Sequence, residues 1–181
     1  SREEEIRELL KRSKESLEKL LRELDKEHKE SEKSARELLK RNEKRLREIR
    51  EEIRRLNITE DLLKEIEDLL KRLEDKNRKV AKEYEDLLRE SKRHLDELRK
   101  EYERLLKELE DKLEDLRRRR KSEEVMKRLL KEIRDVNKEI TERLEEHRKR
   151  LEEINRDVER IIRELNEEHK EVLKRIREKA K

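Results

Sequence analysis

Residues 53–63 read IRRLNITEDLL, and this stretch ends one helical pattern and begins another. Two arginines suit the negative C-terminal end of a helix dipole, and Asn57 after them tolerates the left-handed backbone that often follows a helix. Thr59 can accept a hydrogen bond from a free backbone N–H at the start of the next helix, where the two acidic residues that follow it are also favoured. Ile58 and Leu63 have the spacing of a hydrophobic staple across that cap. The stretch therefore predicts a turn.

A second stretch has the same character. Residues 117–125 read RRRRKSEEV, so a basic run again precedes a hydroxyl residue, Ser122, and two glutamates. Ser1, followed by glutamates at positions 3 to 5, resembles the same type of helix start. We interpret the basic run Arg117–Lys121 as compensation of a helix dipole rather than as a patch for anions or nucleic acid.

The composition excludes many fold and function classes. The chain has 181 residues, of which 61% are charged, and it contains no Gly, Pro or Cys. Tight turns between strands depend on Gly and Pro, so β-sheet folds are excluded. The absence of Gly excludes phosphate-binding glycine loops, and the absence of Cys excludes disulfides, Cys-zinc sites and thiol nucleophiles. Abundant Glu, Lys, Arg and Leu with helical periodicity indicates helices almost throughout.

Charge and hydropathy also bear on partners. The formal net charge is only +4, and acidic residues alternate with the basic ones, so no nucleic-acid-binding face is expected. No apolar run reaches the 18 residues or more of a membrane span, and we expect no membrane partner. The chain is expected to be soluble and cytoplasmic on recombinant expression, and its natural localisation is left unknown.

Apolar residues recur every 18 residues, as Leu69, Leu87 and Leu105 illustrate. Eighteen residues make five turns of an α-helix. These apolar residues, which we call the seam, therefore stay on one face of the helix without the drift that causes supercoiling. The phase of the repeat changes twice, at the two places where the cap signals lie. Two independent signals thus place turns near residues 57–59 and 120–122.

These features predict an all-α fold, an elongated antiparallel up-down-up three-helix bundle. Its helices are expected to be nearly straight and untwisted, each of about 57–60 residues and roughly 85–90 Å long. The whole chain, 1–181, is expected to be one domain, with helix 1 at about 2–57, helix 2 at about 60–120 and helix 3 at about 123–180.

Polar residues interrupt or border the apolar seam, and antiparallel pairing brings them to similar levels in three groups. Near one end are Ser13, Ser16, Tyr102, Asn137 and Thr141; in the middle are His28, Ser31, Ser34, Tyr84, Ser91, His94, His147 and Asn155; near the other end are Asn42, Asn77, Asn166 and His169. Buried polar groups that lack partners are costly, so we expect hydrogen-bond networks that penalise sliding of one helix past another. The alternative is a set of partly exposed polar residues that share no network.

The chain resembles de novo designed helical bundles, in particular straight bundles generated from parametric geometry with layers of buried hydrogen bonds. The features that match are the 18-residue repeat, the absence of Gly, Pro and Cys, the SREEE start, the SEE and TED caps, and the polar positions within Leu/Ile seams. The junctions differ, because such designs commonly place Gly or Pro in loops. The resemblance covers the whole chain and implies a scaffold, an oligomer component or a switch, without a natural substrate.

The sequence offers little for catalysis, and we expect no enzyme, no catalytic residue, no cofactor and no small-molecule substrate. The Glu-x-x-His pattern of di-iron bundles is not met, so no metal site is expected; His94 and His147 form the one conceivable ligand pair. A monomer is favoured because the seam is narrow, while self-association or a partner helix is the alternative. Seam histidines at 28, 147 and 169 would weaken the fold if charged, which makes pH sensitivity a further hypothesis.

Overall fold

The computed structural model describes residues 1–120 and 122–179. Helix α1 is Arg2–Arg55, α2 is Glu60–Arg119 and α3 is Glu123–Lys179, with lengths of 54, 60 and 57 residues. The described residues contain no β-strand, and the buried side chains of all three helices pack together. The predicted all-α three-helix bundle is therefore confirmed. No helix in the described ranges is long and apolar enough to cross a membrane.

The helix starts use the residues that the sequence indicated. The backbone N–H of Leu62 donates to Thr59 Oγ1 at 3.3 Å, and that of Glu4 donates to Ser1 Oγ at 3.4 Å. Ile58 and Leu63 both pack on the same buried cluster. The hydroxyl of a cap residue thus satisfies a backbone donor that has no partner within its own helix.

The connection after α2 differs from expectation. Arg120 has a φ of 45°, and it is the one described residue with positive φ. The prediction that Asn57 has a left-handed backbone at the first turn is therefore wrong. At the second turn, an arginine has this conformation. A left-handed residue with a Cβ costs about 1–2 kcal/mol, because the Cβ approaches the following carbonyl oxygen. Lys121, the last member of the basic run, lies outside the described residues.

The chain forms two compact units, and each draws on all three helices. The first unit comprises Ser1–His28 and Glu90–Leu151. Its core contains Leu and Ile side chains from each helix, and Ile6, Leu95 and Tyr102 are fully buried there. Ion pairs between helices border this core; the guanidinium of Arg99, for example, donates to Asp25 at 2.7 Å.

The second unit comprises Lys29–Arg89 and Glu152–Lys181. Its core includes Ile49, Ile66 and Ile176, which come from α1, α2 and α3 and are each at most 2% exposed. Arg177 binds both carboxylate oxygens of Glu52 at 2.8 and 3.1 Å, and this contact joins α3 to α1. The predicted single-domain organisation, elongated shape and straightness stay predictions.

Candidate functional site

All ten polar residues predicted within the seam are buried. They are Ser13, His28, Ser31, Asn42, Asn77, Tyr84, Ser91, Tyr102, His147 and His169. Of the residues predicted beside the seam, Asn137, Thr141, Asn155 and Asn166 are half-buried, whereas Ser16, Ser34 and His94 are exposed. Spacing along the sequence therefore indicates which polar side chains enter the interior.

Three of these side chains bind one another in the second unit, and we call them the polar layer: Ser31, Tyr84 and Asn155. The Tyr84 hydroxyl donates to the Ser31 backbone carbonyl oxygen at 2.8 Å and lies 3.2 Å from Asn155 Oδ1, so its one hydrogen is shared. Asn155 Nδ2 donates to Ser31 Oγ at 2.8 Å. Burial raises the pKa of Tyr84 to about 12, which keeps the hydroxyl protonated as a donor. Each helix supplies one member of the polar layer.

A second group lies in the first unit, and we call it the histidine cluster: His28 from α1, His94 from α2 and His147 from α3. The Nε2 atoms of His28 and His147 are 3.1 Å apart, so one of them carries the hydrogen and the other accepts it. The His94 and His147 rings have centroids 5.5 Å apart. Ser91 Oγ is 3.5 Å from His28 Nε2 at the edge of the cluster.

The surroundings of His147 disfavour its charged form. Burial lowers its pKa to about 4, and His28, His94 and Arg150 contribute in the same direction. These groups come from all three helices, and none of them supplies a negative charge. His147 is therefore a neutral imidazole at pH 7.

The middle group predicted from the sequence is thus divided between two sets of contacts. The histidine cluster and Ser91 belong to the first unit, while the polar layer and Ser34 belong to the second. Each set contains side chains from three helices, with Ser34 exposed beside the second.

The group predicted near the N-terminal end of α1 forms other hydrogen bonds than expected. Ser13 Oγ donates to the Leu9 carbonyl oxygen at 2.9 Å, and Thr141 Oγ1 donates to the Asn137 carbonyl oxygen at 2.8 Å. Both bonds run four residues back within one helix, where a hydroxyl readily finds an acceptor. They therefore do not join separate helices.

Tyr102, the aromatic member of that group, is fully buried, and its hydroxyl has no hydrogen-bond partner among the described residues. Burial raises the pKa of Tyr102 to about 12, although the positive charge of Arg143 acts to lower it. The Arg143 guanidinium forms ion pairs with the carboxylates of Glu101 and Glu139.

The remaining predicted group, in the second unit, is buried without the expected bonds. Asn42 Nδ2, Asn77 Oδ1 and both ring nitrogens of His169 have no hydrogen-bond partner among the described residues. One nitrogen of Arg45, a residue that the sequence did not single out, is buried without a partner as well. Burial lowers the pKa of His169, and the positive charge of Arg45 lowers it further. Asn166, the fourth residue predicted here, is half-buried.

Sequence reasoning also missed ion pairs between helices. Arg148 binds Glu27 at 3.0 Å and lies 3.6 Å from Glu23, and these contacts raise its pKa. Glu and Arg occur at so many positions that their spacing carries no signal for such pairs. Among the described residues, no group of three or more His, Cys, Asp or Glu is arranged to hold a metal ion.

An open groove runs between α2 and α3 in the second unit. Leu69, Leu73 and Val172 form its apolar floor, and charged side chains border it. Leu87 on α2 is the one large apolar side chain that is exposed in the described ranges, at 42%. The surface of this unit therefore contains some apolar area that its own helices leave uncovered.

Comparison of the chain with protein-family models, with curated proteins and with solved structures gives no match.

Proposed function

We propose that the protein is a designed structural scaffold in which the polar layer sets the register of the three helices. The supporting observation is the contact among Ser31, Tyr84 and Asn155, to which each helix contributes one side chain. The proposal includes no catalytic activity, no cofactor and no small-molecule substrate. Its designed origin is supported by the 18-residue seam and by the absence of Gly, Pro and Cys.

Geometry explains why such a contact would select one register. Moving a helix by one residue shifts its side chains by 1.5 Å and turns them by about 100°. Hydrogen bonds of 2.8 Å between rigid helices do not survive that change, whereas Leu and Ile side chains can repack on new apolar neighbours. Each buried donor or acceptor left unpaired then costs about 1–3 kcal/mol. The polar layer would therefore contribute more to specificity than to stability.

We expect the triple variant Ser31→Ala, Tyr84→Phe, Asn155→Leu to remain helical and to adopt more than one register. Spin labels at Glu37 on α1 and Arg163 on α3, both exposed positions of the second unit, would report the spacing of the two helices. Pulsed electron paramagnetic resonance should give one narrow distance distribution for the parent. The triple variant should add distances that correspond to a slip of about one turn, or 5.4 Å.

Leu88→Met is the matched control, because Leu88 is buried one turn from Tyr84 and the substitution conserves volume without touching the polar layer. It should keep the single narrow distribution. A single distribution in the triple variant as well would mean that the apolar seam and the connections suffice to set the register. The role proposed for the polar layer would then be wrong.

The second candidate function is a component that accepts a partner helix or a second copy. The apolar floor of the groove and the exposed Leu87 favour it. We propose the monomer as the principal state, and light scattering should then give a mass near 22.7 kDa. A mass that is a multiple of this value would favour the second candidate, and Leu87→Glu should then restore the monomer.

A further inference from the structure

We propose that the histidine cluster is a binding site for a divalent transition-metal ion such as Zn²⁺ or Co²⁺. The ion would be held by Nε2 of His28 and of His147, with His94 as the third ligand and water in the remaining position. This site goes beyond the scaffold role, which depends on a different set of residues in the second unit.

The spacing of the two buried nitrogens supports this assignment. Zn–N bonds of about 2.0–2.1 Å at a tetrahedral angle place two ligand nitrogens about 3.3 Å apart. The Nε2 atoms of His28 and His147 are 3.1 Å apart, which is close to that separation. A hydrogen bond now joins these two atoms, and the ion would take the place of its shared hydrogen.

His94 is the third ligand that we assign to this ion. Its ring centroid is 5.5 Å from that of His147, almost the same as the 5.4 Å between His28 and His147. Its side chain is exposed, so it can rotate and an ion can enter from its side. Among the described residues, no group of three or more possible ligands is arranged to hold an ion, so His94 has to rotate toward it. The third bond therefore forms only when the ion binds.

The chemistry of the donors selects the class of ion. Neutral imidazole nitrogen suits Zn²⁺, Cu²⁺, Ni²⁺ and Co²⁺, whereas Mg²⁺ and Ca²⁺ prefer oxygen ligands. Binding through Nε2 requires each ring to carry its hydrogen on Nδ1, so the hydrogen that now joins the two Nε2 atoms would move to Nδ1 of its own ring.

The test is a titration of the chelator-treated protein with ZnCl₂ and with CoCl₂ at pH 7.5. We expect one Zn²⁺ per chain by calorimetry and the intense visible bands of tetrahedral Co²⁺. His28→Gln and His147→Gln should each weaken binding at least 10-fold, and His94→Gln should weaken it less. His169→Gln, which changes a buried histidine of the other unit, is the matched control and should bind as the parent does.

The chain has 53 Asp and Glu residues that can bind cations weakly, so the titration must separate the two kinds of binding. Zn²⁺ affinity that is unchanged in the His28→Gln, His147→Gln double variant would overturn the proposal, and so would the pale spectrum of octahedral Co²⁺. Imidazole ¹⁵N spectra of the parent make the test independent of whether the variants fold. The signals of residues 28, 94 and 147 should shift together with Zn²⁺, and an unchanged set would also overturn the proposal.

Discussion

Replacing Leu95 by alanine is expected to lower the free energy of unfolding by about 2–5 kcal/mol. Leu95 lies on α2, is fully buried and packs in the core of the first unit. Its truncation removes apolar contacts and leaves a cavity that long, packed helices cannot readily close. Urea unfolding followed by circular dichroism measures the change.

The matched control is Leu87→Ala, the same substitution on the same helix at a side chain that is 42% exposed. This variant should lose less than about 1 kcal/mol, because much of Leu87 remains in water in the folded state. Equal losses at the two positions would contradict the burial of Leu95. They would indicate that helix propensity, rather than packing, determines stability here.

Replacing His169 by leucine is expected to raise the free energy of unfolding by about 1–3 kcal/mol at pH 7.5. The His169 ring is fully buried in the second unit, and neither of its nitrogens has a hydrogen-bond partner among the described residues. The folded state therefore loses the solvation of these polar atoms without compensation. An apolar side chain of similar size removes that cost and keeps the packing.

The gain should be larger at pH 5 than at pH 7.5. Burial and the charge of Arg45 lower the pKa of His169 in the folded state, so below about pH 6.5 the unfolded chain takes up a proton that the folded chain resists. The contribution of neutral His169 to the free energy of unfolding is therefore present above the unfolded pKa and is lost as the pH falls. The leucine variant has no ionisable group at this position and does not lose this contribution. His147, with a pKa of about 4, acts in the same direction and leaves a residual dependence.

Chemical unfolding at the two pH values, in the presence of a chelator, measures both effects. His94→Leu is the control at pH 7.5, because His94 is exposed and its replacement should change the stability there little. A His169→Leu variant less stable than the parent would show that the ring nitrogens form favourable contacts in solution.

The fold could be predicted from the sequence because local and periodic signals coincide. Thr59 is a cap residue by its own chemistry, and its hydroxyl does accept the backbone N–H of Leu62. The seam changes phase at the same place, which a single continuous helix would not permit. The backbone of the second connection could not be predicted, since nothing in the residue type of Arg120 favours positive φ.

Burial of the candidate residues could also be predicted, but their partners could not. Periodicity determines which face of a helix a residue occupies, and it correctly placed Asn42 and His169 inside. Hydrogen bonding depends further on side-chain rotamers and on distances of a few tenths of an ångström. Ser13 thus bonds within its own helix, whereas Ser31 bonds to another. Charge pairs such as Arg148 with Glu27 had no distinguishable pattern, because charged residues occupy most surface positions.

Each unit is formed by two separate segments of the chain, and this limits which truncated fragments can contain one unit alone. The shortest continuous fragment that contains the whole first unit is residues 1–151, and it necessarily includes Lys29–Arg89 of the second unit without the segment of α3 that belongs with them. Neither terminus can be shortened to isolate one unit cleanly. To produce either unit by itself, its two segments would have to be joined by a new connection, because truncation at the termini is not sufficient.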